Sequence, residues 1–377
     1  MTMCYHPWVG LDISPQGEYK PCCKFGPVLG TSLTEYQTSE KLAQLKEQFL
    51  AGERPDECAR CWKDEDADLP SKRTLDNKYI FNDTAPALTS FKVLSVPFGN
   101  TCNLACRICS SYPSSRWGQE AEKLKPYFPD IPIYKHNKFY QTAEFKQSID
   151  ELSKDVVHVT FPGGEPFYAD SETHYEFLMS MLDRAPEISL HYITNGTKMP
   201  GQEMFHAWDK FKQVDIQLSI DGILDQFEYN RWPALWPQVY ANVQKYQRYA
   251  LQHRNIKLSI SHSVSIFTVY YLPQFLEWCK MAYLPAPYLG LVSNPLHYSI
   301  TALPAGAKQA IEAHFHNDPR LTGIVKAMWA KDDSDQLDLL VKYVKILDKQ
   351  RQQNFAETFP ELYNLLGEQC QTLYQLY

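Results

Sequence analysis

The chain has 377 residues, 44% apolar and 21% charged, ordinary proportions for a globular protein of one large domain or two to three smaller ones. A formal charge of −7 gives no general attraction to phosphate backbones or anionic lipid, so nucleic acid is not an expected partner. The opening MTMCYHPWVG lacks the layout of a signal peptide and no apolar run approaches a membrane span, so a cytoplasmic protein is expected. In that reducing compartment the ten cysteines point to metal or redox chemistry rather than a disulfide framework.

Residues 1–80 are rich in Pro, Gly and Cys and hold Cys4, Cys22, Cys23, Cys58 and Cys61. One clear helix is predicted there, over Ser39–Ala51, and the polar stretch Asp64–Ala85 reads as a linker. Residues 88–300 alternate short apolar runs with amphipathic stretches. The runs Phe91–Pro97, Val156–Phe161, Ile188–Ile193, Val214–Ile220, Lys257–Val264 and Tyr288–Val292 are candidate strands. Helical patterns such as Thr173–Asp183 and Leu235–Arg254 separate them, which implies parallel βα units with right-handed crossovers. The fold class is therefore α/β, a partial (β/α)6 TIM-like barrel whose working residues gather at the strands' C-terminal ends. Residues 301–377 form a helical C-terminal extension, with helices predicted over Ala307–Phe315, Leu337–Gln352 and Glu361–Leu376. Cys279 and Cys370 stand alone and read as packing residues.

The group Cys102-Asn-Leu-Ala-Cys106-Arg-Ile-Cys109 follows the first of these strands. Three thiolates leave the fourth iron of a [4Fe–4S] cluster without a protein ligand, and an open metal position is what a substrate-binding site needs. A zinc site completed by a distant fourth ligand would also suit the spacing. After the second strand comes Phe161-Pro-Gly163-Gly164-Glu165-Pro166, where glycines allow close backbone approach and the carboxylate can accept from an ammonium group. Thr194-Asn195-Gly196 ends the third strand. Ser219-Ile-Asp221-Gly222 ends the fourth, and Arg231 follows.

In this order the pieces resemble the radical S-adenosylmethionine (SAM) superfamily. The resemblance implies that Cys102, Cys106 and Cys109 hold a catalytic [4Fe–4S] cluster whose open iron chelates SAM. It further implies that Gly163, Gly164, Glu165 and Pro166 contact the methionyl amino group and that Ser219 and Asp221 bind the ribose. Arg231 would pair with the SAM carboxylate, and Thr194 and Asn195 would complete the cofactor site. Reduction by a donor such as flavodoxin or ferredoxin would then cleave SAM to a 5′-deoxyadenosyl radical that abstracts hydrogen from a substrate. The residue before the last cysteine, often aromatic in the superfamily, is Ile108 here, and an aliphatic side chain can still cover a purine face.

Cys4, Gly17 and Cys22 in the order C-x12-G-x4-C resemble the first half of a SPASM or twitch domain, the small module that carries auxiliary clusters beside such barrels. With Cys58 and Cys61 the set reaches four thiolates, enough for a second [4Fe–4S] cluster or for a zinc ribbon. Relatives place this module after the barrel; here it precedes it. Because Cys4 lies so near the first residue, a small-molecule substrate is expected ahead of a peptide or protein side chain. A non-catalytic iron–sulfur scaffold is the third reading. Asn294, His297 and Tyr298, after the sixth candidate strand, are pocket candidates by position alone.

Overall fold

The computed structural model describes residues 2–66, 70–81, 90–168 and 171–376. Its centre is one eight-stranded sheet in the order β2-β1-β3-β4-β5-β6-β7-β8. The strands are β1 (Gly10–Ile13), β2 (Tyr19–Lys20), β3 (Val93–Ser95), β4 (His158–Phe161), β5 (Ser189–Thr194), β6 (Gln213–Ser219), β7 (Ile256–Val264) and β8 (Tyr288–Leu291). Every neighbouring pair is parallel except β1 with β2. The six predicted strands are all present, as β3 to β8.

The N-terminal segment adds two more strands, so it is built into the barrel's edge. Gly10, Leu11 and Asp12 pair in register with Val93, Leu94 and Ser95. β2 returns antiparallel through a turn closed by Gly17 N–H donating to the Ser14 carbonyl (2.9 Å), with Gly17 at φ +78°. The predicted linker is corrected over its described part. Residues 72–79 form a helix capped by Ser71, whose hydroxyl accepts from Thr74 N–H (3.2 Å). Residues 67–69 and 82–85 of that stretch lie outside the described residues.

Strand alternation decides which side is wet. Leu190, Tyr192, Val214, Ile216 and Leu218 are buried. They face the crossover helices, where Tyr192 packs on Trp208 (5.0 Å between ring centroids) of the helix Gln202–Trp208. The alternate residues of β5 and β6 include His191, Asp215, Gln217 and Ser219, all only partly buried. Parallel sheets covered on both faces carry continuous apolar runs. These strands do not, so the concave face of the partial barrel is polar and open to water.

The helices expected over Ala307–Phe315 and Leu337–Gln352 occur as Ala305–His314 and Leu337–Arg351. The last one is broken into Pro360–Leu365 and Gly367–Leu376, with Gly367 at φ +83° at the break. They build a second apolar core with Val264, Ile266 and Phe267 beyond the end of β7. Cys279 and Cys370 are buried packing residues, as expected. Among the described residues no helix is long and apolar enough to cross a membrane.

Candidate active site

The loop after β3 carries Cys102, Cys106 and Cys109, all free and half-buried. Its backbone is fastened from several sides. Ala105 N–H donates to the Trp232 carbonyl and Arg107 N–H to that of Asn230, each at 2.8 Å. The Trp117 indole donates to the Cys106 carbonyl (2.6 Å), and the Ser114 hydroxyl to that of Leu104 (2.6 Å). A loop so held presents its thiols without reorganising. Burial and the neighbouring Cys106 push the Cys109 thiol up to about 12, and burial raises Cys102 and Cys106 as well. Three thiols that each resist ionisation in place are a set that a metal cluster would deprotonate.

The Gly-Gly-Glu-Pro turn after β4 is stitched to this loop. Gly164 N–H donates to the Pro113 carbonyl (2.9 Å) and Glu165 N–H to that of Thr101 (2.8 Å). Gly164 lies at φ +56°, and a Cβ there would meet the Thr101 carbonyl oxygen at 2.5 Å, so only glycine fits. The Glu165 carboxylate is wholly buried and accepts from the Thr194 hydroxyl (2.6 Å), Asn195 N–H (2.7 Å) and Phe167 N–H (3.2 Å). Burial outweighs these bonds and lifts Glu165 to about 7. Thr194 and Asn195 therefore hold Glu165. Asn195 also donates to Asn103 Oδ1 (2.9 Å), tying β5's end to the cysteine loop.

At the end of β6, Asp221 Oδ1 accepts from Ser263 N–H (2.7 Å), and Oδ2 stands 2.8 Å from Arg231 Nη2 as an ion pair without hydrogen-bond alignment. Arg231 Nη1 reaches Cys106 Sγ at 4.0 Å, and its Nε is buried with no partner. A guanidinium beside a thiol with one donor unused could take a carboxylate.

A feature that sequence reasoning missed clamps the loop from the far end of the chain. Arg107, inside the cysteine group, is fully buried. It pairs with Asp348, donates to Gln353 Oε1 (3.0 Å) and lies 3.6 Å over the Tyr229 ring. Arg351, one turn on, pairs with Glu120 and donates to the Ala105 carbonyl (2.7 Å). The available signal was a charged residue within the motif and the i, i+3 spacing of Asp348 and Arg351 on one helix face. Ile108 packs, half-buried, against the C-terminal apolar core.

The N-terminal cysteines collect below the edge of the sheet. Cys4 lies just before β1, and Cys22 follows antiparallel β2, so both stand at the end of β1 opposite to the Cys102 loop. Cys4 and Cys61 are buried, Cys22 and Cys58 half-buried, and Cys23 exposed. Burial pushes Cys4 up to about 12, with Cys58 and Cys61 close enough to add to it; Cys22 in turn feels Cys4. The helix 72–79 braces them. Arg73 pairs with Glu65 (2.5 Å) and donates to the Met3 carbonyl (2.8 Å), while Asp76 takes His6 (2.7 Å) and Lys72 (2.6 Å).

Three free thiols on one loop, one of them beside an arginine with an unused donor, fit a [4Fe–4S] cluster with one iron left to an amino-acid ligand. Among the described residues no three Cys, His, Asp or Glu side chains converge tightly enough to hold a single ion. The pocket candidates after β8 are split: Asn294 is exposed, while His297 and Tyr298 are buried with their rings in contact (4.3 Å between centroids), His297 also stacked on Tyr343 (4.6 Å).

Residues 96–261 match the family described as the Radical SAM superfamily. No protein of curated function matches the chain. Among solved structures it is similar to native anSMEcpe with bound AdoMet, at 18% identity over 60% of this chain and 59% of that one, TM-score 0.44. It is also similar to the same protein with AdoMet and the Cp18Cys peptide, at 16% identity over 69% and 62%, TM-score 0.42. Streptococcus suis SuiB bound to S-adenosylmethionine matches at 13% identity over 81% and 53%, TM-score 0.37. The chain thus spans about three-fifths of the length of the first of these.

Proposed function

We propose that this chain, a member of the radical SAM superfamily through residues 96–261, binds SAM at the Cys102–Cys106–Cys109 loop and directs the resulting radical onto a substrate. Cys102, Cys106 and Cys109 would hold the [4Fe–4S] cluster. The chemistry supplied when cluster and SAM are bound is reductive cleavage to methionine and a 5′-deoxyadenosyl radical, with electrons from a flavodoxin- or ferredoxin-type donor.

The chain's own residues supply placement and exclusion of water. Arg231 offers its unpartnered Nε to the SAM carboxylate, and Asp221 keeps the guanidinium aimed at Cys106. Glu165, fixed by three donors, keeps acceptor capacity for the SAM ammonium. Ser219, at β6's end, would take a ribose hydroxyl. Gly163, Gly164 and Pro166 let the turn approach the ligand. In the N-terminal module Cys4, Cys22, Cys58 and Cys61 would hold a second cluster with a supporting or electron-transfer role, its four thiolates leaving no open iron.

The observation that carries this reading is the Arg231 donor left free on the guanidinium that reaches Cys106 of the cysteine loop. The test is anaerobic reconstitution with iron and sulfide, then dithionite and SAM, with 5′-deoxyadenosine measured by chromatography. Product is expected from the wild type and none from Cys102→Ala. Equal product from both would overturn the assignment.

A further inference from the structure

The concave face carries a polar row that the SAM site does not use. Asp12, Ser95, Thr160, His191 and Asp215 are successive register partners across β1, β3, β4, β5 and β6. Register partners in a parallel sheet share a face, so these five side chains line one wall. Exposed Lys257 of β7 ends the row. Apolar residues would serve a barrel wall better if nothing but packing were required, since each buried polar group must find a partner.

At the centre of the row stands an oriented pair. His191 Nδ1 lies 2.8 Å from Asp215 Oδ2, and Asp215 Oδ1 accepts from the Ser259 hydroxyl (2.8 Å). The carboxylate fixes the imidazole's orientation and leaves Nε2 as its outer nitrogen. Among the described residues nothing bonds Nε2. The side chains keep 20% and 24% of their exposure, so the pair faces open space. His158 stacks beside His191 (6.4 Å), and its Nε2 lies 3.3 Å from the Thr160 hydroxyl.

Position ties the row to the cysteines. Ser95 is the last residue of β3, directly below the loop to Cys102, whereas Asp215 lies four residues before Ser219 on β6. At roughly 3.3 Å per residue the row descends about 13 Å from the rim as it crosses the sheet. A small molecule seated on it would extend up beneath the cluster loop.

We propose that the His191–Asp215 pair is the anchor of a substrate chamber on the concave face, and that the ligand is a small, neutral, polyhydroxylated molecule of the sugar or cyclitol class. His191 Nε2 bonds one hydroxyl; Thr160 and Gln217, on the strands to either side, serve its neighbours. Asp215 is already occupied by two donors, and the row's other charges, Asp12 bonded to Ser95 at one end and exposed Lys257 at the other, are opposite in sign and do not call for an ion. His158 stays neutral because burial, with His191 next in effect, holds it down near 4. The row thus offers hydroxyls, an amide and imidazoles, a set that matches vicinal hydroxyl groups. This inference rests on the SAM-cleaving reading for its place beneath the cluster.

The test uses the anaerobic reconstituted enzyme with SAM, and saturation-transfer NMR with D-glucose and myo-inositol as probes. Transfer to at least one probe is expected from the wild type, reduced at least fivefold in His191→Gln and in Asp215→Asn. His253→Phe, which breaks a histidine–aspartate pair away from this row, should leave it unchanged. No transfer to either probe, or transfer that survives both chamber variants, overturns the proposal. Should either variant fail to fold, protection of His191 from diethyl pyrocarbonate by the sugar in the wild type reads the same contact, and lack of protection overturns it. 5′-Deoxyadenosine is measured in parallel. Its absence from the wild type defeats the SAM reading, whereas its presence without sugar binding defeats the chamber alone.

Discussion

The two cysteine groups lie at opposite ends of adjacent parallel strands and are built on different plans. The Cys102 group comes from one short loop, pinned through its backbone, with a guanidinium reaching in beside it. The N-terminal group is gathered from three separate segments and is held by ion pairs from one helix. The first leaves donors unspent; the second spends its charges on its own scaffold.

The sharpest way to break that contrast is to remove one thiol from each group. Cys102→Ala should abolish 5′-deoxyadenosine, whereas Cys4→Ala should lower iron content by about half and leave SAM cleavage measurable. Equal loss of product in both would mean that the two groups work as one. A smaller but still large effect is expected from Asp348→Ala, which strands a fully buried guanidinium inside the cysteine loop. Breaking such a pair costs about 3–5 kcal/mol, read as a lowered midpoint in denaturant, and the rim group should lose iron first. Gly164→Ala should cost about 1–2 kcal/mol from the left-handed backbone alone, before its contact with the Thr101 carbonyl, and should weaken SAM binding without changing N-terminal iron.

The gentlest probe is pH. Glu165 is held near 7 by burial, so below that value it is protonated and cannot accept an ammonium group as an anion. An ammonium beside it favours the ionised form, so SAM binding should release a proton in acid. Affinity should then strengthen as pH rises toward about 7, by up to tenfold per unit, and level off above it. Titration calorimetry in buffers of different ionisation enthalpy would measure the proton. Iron binding by the N-terminal group should not follow that profile.

Much of this was legible in sequence because parallel strands announce themselves by alternation and by motifs at their ends. β3 to β8 and the order of Cys102, Glu165, Thr194, Ser219 and Arg231 could be read directly. β1 and β2 could not, because four residues amid Pro and Gly carry too little period to be told from a loop. The Asp221–Arg231 pair was missed for another reason: each residue has a ligand role by resemblance, and only coordinates show them facing each other. The alternation in Val214–Asp215–Ile216–Gln217 was visible, but as a sign of a strand. That its polar half lines a chamber depends on which side the helices cover.

Arg107 and Asp348 lie 241 residues apart, and Arg351 reaches Ala105 from as far away. During synthesis the cysteine loop emerges long before the helix that fastens it. At about 5–20 residues per second, that interval is tens of seconds or less. The barrel can form meanwhile, but its rim has to wait for the chain's last helices. A chain stopped short of residue 348 would keep Cys102, Cys106 and Cys109 and the N-terminal cysteines yet lack the latch that fastens the Cys102 loop.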